Sequence, residues 1–226
     1  MKSFFRAAWL VVRKDVAVEV RSREVLFTTL FFALSCVLVF AVAFVREKPL
    51  PEAAAGILWI AIAFSGTLAL GRTFERERYS DTLRALMLSP AERPAIYLGK
   101  LLGILTLLIV MEVLVVPLVA LMFQAQLFDH SLLLALLLLS GTLGFTAVGT
   151  LFAAMLVRAR SRDVLLPILL YPITIPVMIA GVRGTAGLLD ATPDVAMARF
   201  WIVLLLFFDV VFVTLSLWTF EPLMTE

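Results

Sequence analysis

Cysteine and histidine are almost absent from this chain of 226 residues, with Cys36 and His130 as their single representatives. One cysteine excludes an internal disulfide and a multi-cysteine metal or cluster site, and one histidine excludes every site that needs two. Charged residues make up only 16% of the sequence, against roughly 25% in a soluble domain. The net charge is +2, so nothing in the charge balance indicates a nucleic-acid partner.

The motifs of common catalytic sites are missing as well. Gly99-Lys100 is followed by Leu101 and lacks a preceding glycine loop, so the sequence has no Walker A motif. A Gly-x-Ser-x-Gly elbow does not occur, and a His-Glu-x-x-His site is impossible with one histidine. We therefore predict no catalytic residue, no metal site and no firmly bound cofactor.

Hydrophobic residues, in contrast, make up 62% of the chain. A water-soluble fold of this size could not bury so much apolar surface, so the excess is expected to face lipid. A segment in lipid must satisfy its own backbone hydrogen bonds, which a helix does. The strands of a membrane β-barrel would alternate apolar and polar residues, and the apolar runs of this chain do not. The sequence therefore predicts an all-α, polytopic membrane protein. Its six predicted spans are residues 25–45, 54–71, 101–123, 132–157, 164–182 and 200–220.

Lysine and arginine predict the orientation of these spans. The N-terminal segment and the connections after spans two and four contain 15 of them, and the opposite side contains Arg46, Lys48, Arg183 and Arg199. By the positive-inside rule both termini are expected in the cytoplasm of a bacterium, with the chain in its inner membrane. A cleaved signal peptide ending near Cys36 is the alternative for the first run. It is disfavoured because apolar sequence continues past Cys36.

The N-terminal segment, residues 1–24, is expected to form an interfacial helix. Phe5, Trp9, Val12 and Val16 fall on one helical stripe, whereas the basic residues point elsewhere. This pattern is typical of a helix that lies at the membrane surface with its basic face toward lipid phosphates. A solvated tail is the alternative.

The connection 72–100 contains a second amphipathic pattern. Tyr79, Leu83, Leu86 and Met87 share one helical face, and Glu77, Asp81 and Arg84 share the opposite face. A short helix held between two spans needs a partner for its apolar face, which could be lipid, the chain itself or another subunit.

Two acidic residues lie in the middle of predicted spans. Glu112 is the central residue of span three, and Asp209 is within one residue of the centre of span six. An ionised carboxylate at mid-bilayer costs about 2.5–3.5 kcal/mol, so neither is expected to face lipid. They could meet each other, bond separately within the protein or line a dimer interface. Interhelical hydrogen bonding and the lining of a substrate path remain open as their roles.

Small residues and prolines distinguish spans four and five. Ser140, Gly144 and Ala147 form one stripe of span four and Gly149 lies opposite, which predicts close packing on two faces. Span five contains Pro167, Pro172 and Pro176, which are expected to kink the helix or break its hydrogen bonding. Residues 183–199 are long enough for a re-entrant hairpin. His130 and Tyr171 are conceivable haem ligands, although a surface role is the more common one for a lone histidine.

Several stretches together resemble a known family. The chain resembles the haem exporter B (CcmB) permeases of cytochrome c maturation, within the type 2 ABC-exporter class, in residues 14–24, 74–77, 88–93 with 97–100, 141–145 with 147–152, and 162–167. The resemblance covers nearly the whole chain.

The resemblance implies a permease that works with a separate ATPase subunit, CcmA-like, and with CcmC-, CcmD- and CcmE-like proteins, in a complex with two permease copies. Haem then enters only as a transported or partner-held ligand, and the implied role is haem export or release of the haem-loaded chaperone. By this resemblance, the amphipathic helix in the connection 72–100 is the coupling helix that docks on the ATPase. Residues 158–163 form a second, smaller contact with it. The implied coupling residues are Glu75, Glu77, Tyr79, Leu83, Arg84, Leu86, Met87, Arg160 and Arg162. A permease for a lipid or drug, and a scaffold that transports nothing, are the alternatives.

Overall fold

A computed structural model of the chain describes residues 2–44, 51–79, 92–125, 129–190 and 192–223. These ranges contain seven α-helices and no strand. The helices are α1 (Lys2–Ser22), α2 (Glu24–Ala43), α3 (Pro51–Tyr79), α4 (Arg93–Phe123), α5 (Ser131–Met155), α6 (Arg162–Leu189) and α7 (Val195–Leu223), with a short 3-10 helix (Leu156–Arg158) after α5.

The six helices α2 to α7 are each long and apolar enough to cross a membrane. Each carries a continuous apolar run, and a helix is the form that pairs every backbone group inside such a run. The prediction of an all-α protein with six membrane spans is therefore confirmed.

Four of the predicted spans, the second, third, fifth and sixth, are parts of longer helices. Helix α3 has 29 residues and extends past the predicted end at residue 71 as far as Tyr79. Polar residues such as Arg72 and Glu75 end the apolar run there, but they are good helix formers and do not end the helix.

The proline-rich helix α6 is continuous from Arg162 to Leu189, through Pro167, Pro172 and Pro176. The prolines remove three backbone donors without dividing it. Because residues 183–189 continue this helix and α7 begins at Val195, the described part of 183–199 forms no re-entrant hairpin.

Helix α1 packs along the first half of α4, and this contact differs from the predicted one. Ala8, Val11 and Val12 are buried, whereas Phe5 and Trp9 are 59% and 66% exposed. Gly99 on α4 provides the contact surface, since a Cβ there would meet Val11 Cβ at 2.6 Å and the Ala8 carbonyl oxygen at 2.8 Å. The predicted stripe is thus divided: Val12 faces protein, and the aromatic residues remain free for lipid.

The centre of the bundle is organised around Trp59 of α3. Its side chain is fully buried, and its Nε1 donates a hydrogen bond to Thr185 Oγ1 on α6 at 3.0 Å. A Cβ at Gly141 of α5 or Gly181 of α6 would lie only 2.1 Å or 2.3 Å from the indole ring. These two glycines therefore provide the space in which α3, α5 and α6 meet.

Both described ends of the chain lie beside the beginning of α4. Helix α1 packs against α4 there, and the Phe220 ring near the end of α7 lies 5.3 Å from the Tyr97 ring. The Tyr97 hydroxyl also donates to the Ala147 carbonyl of α5 at 2.9 Å. We call this side of the bundle the loop end; it contains α1, the end of α3, the beginning of α4 and the end of α7.

Candidate functional site

The predicted coupling helix falls mostly outside the described residues. Helix α3 ends at Tyr79 and α4 begins at Arg93, so Leu83, Arg84, Leu86 and Met87 belong to the undescribed range 80–91, and the side chains of Glu77 and Tyr79 are not described either. Glu75 is described: its carboxylate lies 3.5 Å from Arg72 one turn earlier. The amphipathic face of this segment stays a prediction from the sequence.

The second predicted contact includes Arg162, which lies against α3 at Gly71. Arg162 is only 5% exposed, and its Nη2 donates to the Gly71 carbonyl at 3.2 Å. Its Nε also lies 3.5 Å from Asp163. Arg162 therefore ties the beginning of α6 to α3, whereas Arg160 is exposed and accessible to a partner.

An ion pair with a buried lysine fixes α1 to α4 at the same end of the bundle. The Lys100 ammonium lies 2.7 Å from the Asp15 carboxylate, and its side chain is 2% exposed. Lys14 approaches the other oxygen of Asp15 at 2.8 Å. A buried cation needs such a partner, because removing it from water costs several kcal/mol.

A second pair connects α1 to α3. Glu19 accepts a hydrogen bond from Arg76 at 3.2 Å and another from the Leu26 backbone N–H at 2.8 Å. Arg76 also lies 3.7 Å from Glu24 at the beginning of α2. Helix α1 is therefore attached both to the helix that enters the segment 80–91 and, through Asp15, to the helix that leaves it.

Sequence reasoning missed this network, which we call the loop-end charge network (Lys14, Asp15, Glu19, Glu24, Arg76 and Lys100). The signal was present: Asp15 and Glu19 are spaced i, i+4 in an otherwise basic segment. That spacing puts both carboxylates on one face of α1, which is the face that packs against α4 and contacts Arg76 of α3.

The midplane acids lie on different sides of α5. The Thr142 hydroxyl donates to the Glu112 carboxylate, whereas Asp209 faces Gly144, where a Cβ would be 2.7 Å from its Oδ1. Residues two apart on a helix point about 200° apart. Glu112 and Asp209 therefore make separate contacts with α5, and neither faces lipid, since each is 4% exposed.

Asp209 differs from Glu112 in its hydrogen bonding. Neither carboxylate oxygen of Asp209 has a hydrogen-bond partner in the described part of the chain. An acid with no donor is the costlier of the two to keep in a membrane span. Gly144 leaves the room that this carboxyl occupies.

The remaining small residues of span four also contact different neighbours. The Ser140 hydroxyl donates within its own helix to the Leu136 carbonyl at 2.7 Å. A Cβ at Gly149 would meet Leu70 of α3 at 2.3 Å, and Ala147 is fully buried. The structure thus places Gly144 toward α7 and Gly149 toward α3.

The two conceivable haem ligands are not brought together. Tyr171 lies within α6, and its hydroxyl accepts a hydrogen bond from Thr67 at 3.2 Å. His130 lies immediately before α5, at the end of the bundle opposite the loop end. The described ranges contain no group of three His, Cys, Asp or Glu side chains that could hold a metal ion.

Comparison with known proteins gives a consistent result. The family model described as "CcmB protein" matches residues 6–222. Heme exporter protein B of Haemophilus influenzae is 28% identical over 181 residues, which cover 79% of this chain and 81% of the relative. The Rhodobacter capsulatus protein of the same name is 30% identical over 148 residues, or 64% and 67% of the two chains. The Escherichia coli K12 protein is 32% identical over 96 residues, or 42% and 44%.

The match of the family model covers almost the entire length of the chain, including α1, the loop end and all six apolar helices. The resemblance inferred from the sequence is confirmed: the chain belongs to the CcmB protein family.

Proposed function

We propose that this chain is the membrane permease subunit of an ABC transporter for c-type cytochrome biogenesis. It couples ATP hydrolysis by a separate CcmA-like subunit to haem export or to release of the haem-loaded chaperone. The observation that carries the proposal is the family match over residues 6–222, together with relatives named heme exporter protein B. The absence of a Walker A motif from the sequence agrees with an ATPase supplied by another chain.

The arrangement of the loop end supports coupling there. The segment 80–91 follows α3, residues 158–163 precede or begin α6, and Arg162 joins α6 to α3 through the Gly71 carbonyl. A subunit bound at this end could therefore contact both segments at once. In the proposed orientation this end faces the cytoplasm, where ATP is available, and two permease copies bind the ATPase with CcmC-, CcmD- and CcmE-like proteins.

Deletion of the gene tests the substrate. We expect c-type cytochromes to disappear from haem-stained membranes while b-type haem proteins stay at normal levels, because haem synthesis does not depend on this step. Expression of the intact chain should restore them. Normal c-type cytochromes in the deletion strain would contradict the proposal. If the deletion affected only the transport of a lipid or drug, the chain would be a permease for another substrate.

Substitution in the segment 80–91 tests coupling. Leu83→Asp with Leu86→Asp should leave the protein in the membrane but lower co-purification of the ATPase by roughly tenfold or more, because two charges would be buried at the contact. The matched Leu83→Ala with Leu86→Ala variant removes apolar area without adding charge and should lose less. An unchanged ATPase ratio in the aspartate variant would place the docking site elsewhere.

A further inference from the structure

A cavity of about 650 Å³ lies at the loop end, enclosed by α1, the beginning of α2, the end of α3 and the first half of α4. Its volume is within the range of small-molecule sites. Its polar lining comes from residues at the level of the loop-end charge network. Its apolar lining includes Leu26 and Phe27 of α2 and extends along α4 as far as Val110.

The cavity opens sideways toward lipid. Five apolar side chains of its lining are exposed, among them Val20 at 65%, Phe27 at 58% and Val110 at 44%. In a chain with six membrane-spanning helices, exposed apolar side chains at this level face the acyl chains of one leaflet. Val110 lies ten residues beyond Lys100, which is about 15 Å deeper along α4.

Arg23 supplies a cation to the polar end of the cavity. Its side chain is exposed, and its Nε donates only to the Val20 carbonyl, at 3.4 Å. No carboxylate lies within ion-pair distance of Arg23 in the described ranges. The acids of the lining already have cations, since Asp15 contacts Lys14 and Lys100, and Glu19 contacts Arg76.

The backbone at Arg23 is also unusual for an arginine. Its φ is 55°, in the left-handed region, at the position that follows the last turn of α1. Glycine is the usual residue at such a position, because most side chains are strained there. An arginine at this place is the kind of local conflict that marks functional residues.

The chemistry of the lining also discriminates between amphiphilic ligands. Haem has an apolar body with carboxylates, but its iron needs a side-chain ligand such as His, Cys, Met or Tyr. The side chains that line the cavity include none of these. A phospholipid needs only an apolar channel and a cation for its phosphate, and the planar guanidinium of arginine binds phosphate well.

We propose that this cavity binds one anionic phospholipid, with an acyl chain between α2 and α4 and the headgroup phosphate on Arg23. Lys14 lies on the same polar lining and adds positive charge beside it. The bound lipid would fill the space between α1, α2 and α4. It would thereby hold α1, which is attached to both helices that flank the segment 80–91. This assignment does not depend on which substrate the transporter moves.

Native mass spectrometry tests the proposal. Purified, delipidated protein is mixed with phosphatidylglycerol or with phosphatidylcholine, the two lipids having identical acyl chains. We expect one phosphatidylglycerol to be retained, with about tenfold preference over phosphatidylcholine. Arg23→Asn should abolish that preference while the protein stays folded, because asparagine tolerates the left-handed backbone. Arg21→Gln is the matched control: Arg21 is exposed and absent from the lining, so its loss should change nothing.

A second variant tests the apolar end. Thr106 is exposed and lines the cavity, so Thr106→Trp should fill it and displace the lipid without entering the protein core. Elution volume and melting temperature report whether each variant is folded. The proposal would be overturned if Arg23→Asn and Arg21→Gln retained phosphatidylglycerol with the same preference over phosphatidylcholine. Equal binding of both lipids by the intact protein would overturn it too. Binding of haemin in place of phosphatidylglycerol, lost in Thr106→Trp, would overturn it as well.

Discussion

At the scale of single residues, Glu112 and Asp209 show how two acids at similar depth come to differ. Glu112 has a donor in Thr142, whereas neither oxygen of Asp209 has one among the described residues. Both are shielded from lipid by packing on α5. Their common depth therefore says little about a common role, and each acid has to be tested separately.

Replacing Glu112 by glutamine keeps the oxygen that accepts from Thr142 and removes the ionisable proton. We expect Glu112→Gln to accumulate normally but to lower c-type cytochrome maturation by roughly tenfold, as loss of a proton-exchanging group would. Asp209→Asn, the same change on the other side of α5, should mature cytochromes at near the normal level. Normal maturation in Glu112→Gln, measured by haem staining per amount of protein, would leave this residue a packing role only.

Gly181 permits a different residue-scale prediction. A Cβ there would lie 2.3 Å from Trp59 Cε2 in the fully buried centre of the bundle. Gly181→Ala should therefore destabilise the protein by about 1–3 kcal/mol, as overpacking does. The melting temperature in detergent would report the loss.

Gly56 is the matched control on α3, because its Cβ would meet nothing within 4 Å. Gly56→Ala should change stability little or raise it, since alanine favours a helix. In a Trp59→Phe background, Gly181→Ala should cost less than it does alone, because the smaller ring leaves room for the methyl group. Equal costs in both backgrounds would show that the indole ring is not the obstacle.

At the scale of elements, the six apolar helices were predictable because lipid imposes a simple rule. An apolar run of about 20 residues must be a helix, so the runs gave the number of spans. Their ends were harder to predict. Beyond the hydrocarbon, α3 and α6 continue through polar or glycine-containing sequence to Tyr79 and Leu189, and hydropathy has no information there.

The contacts of α1 were less predictable than its existence. Periodicity indicated a helix with an apolar stripe but could not show that a second face, with Ala8, Val11 and Asp15, packs on α4. A half-buried carboxylate in a basic segment is interpretable only once its partner is known, and Lys100 is 85 residues away. Pairs between residues far apart along the chain cannot be predicted from a single sequence, and such pairs make up the loop-end charge network.

The attachment of α1 leads to a test at this scale. Asp15→Asn removes the carboxylate that lies 2.7 Å from the buried Lys100 ammonium, which should weaken the contact between α1 and α4. We expect α1 to detach from α4, seen as faster hydrogen exchange over residues 2–22 while α5 to α7 stay protected. Asp15→Asn combined with Lys100→Met removes both charges and should restore most of the protection.

Arg13→Gln is the control for loss of one charge, because Arg13 is an exposed residue of the same helix. It should exchange like the unmodified protein. Unchanged exchange in Asp15→Asn would mean that apolar contacts of Ala8 and Val11 alone hold α1 in place. The same comparison in the presence of phosphatidylglycerol would show whether the proposed lipid adds to this attachment.

At the scale of the whole molecule, both described chain ends, the end of α3 and the beginning of α4 share the loop end. Lys100 and Asp15 join the beginning of α4 to α1, and the Tyr97 and Phe220 rings join it to the end of α7. An even number of spans agrees with this arrangement. The structure thereby reduces the orientation to one question: which side of the membrane the loop end faces.

The basic residues predict the cytoplasm, with 15 of 19 on the loop-end side of the predicted spans. Cys36 is the single native cysteine, so a Cys36→Ala chain allows each side to be labelled through one introduced thiol. Asp129→Cys, before α5 and opposite the loop end, should react with a membrane-impermeant maleimide in intact cells. Arg13→Cys on the exposed face of α1 should react only after the membrane is permeabilised, and its labelling there is the control for accessibility.

The reverse pattern would place the termini outside and would remove the proposed ATPase contact from the compartment that holds ATP. Labelling of both positions in intact cells would contradict six spans with a single orientation, because α4 alone separates the loop end from the connection before α5.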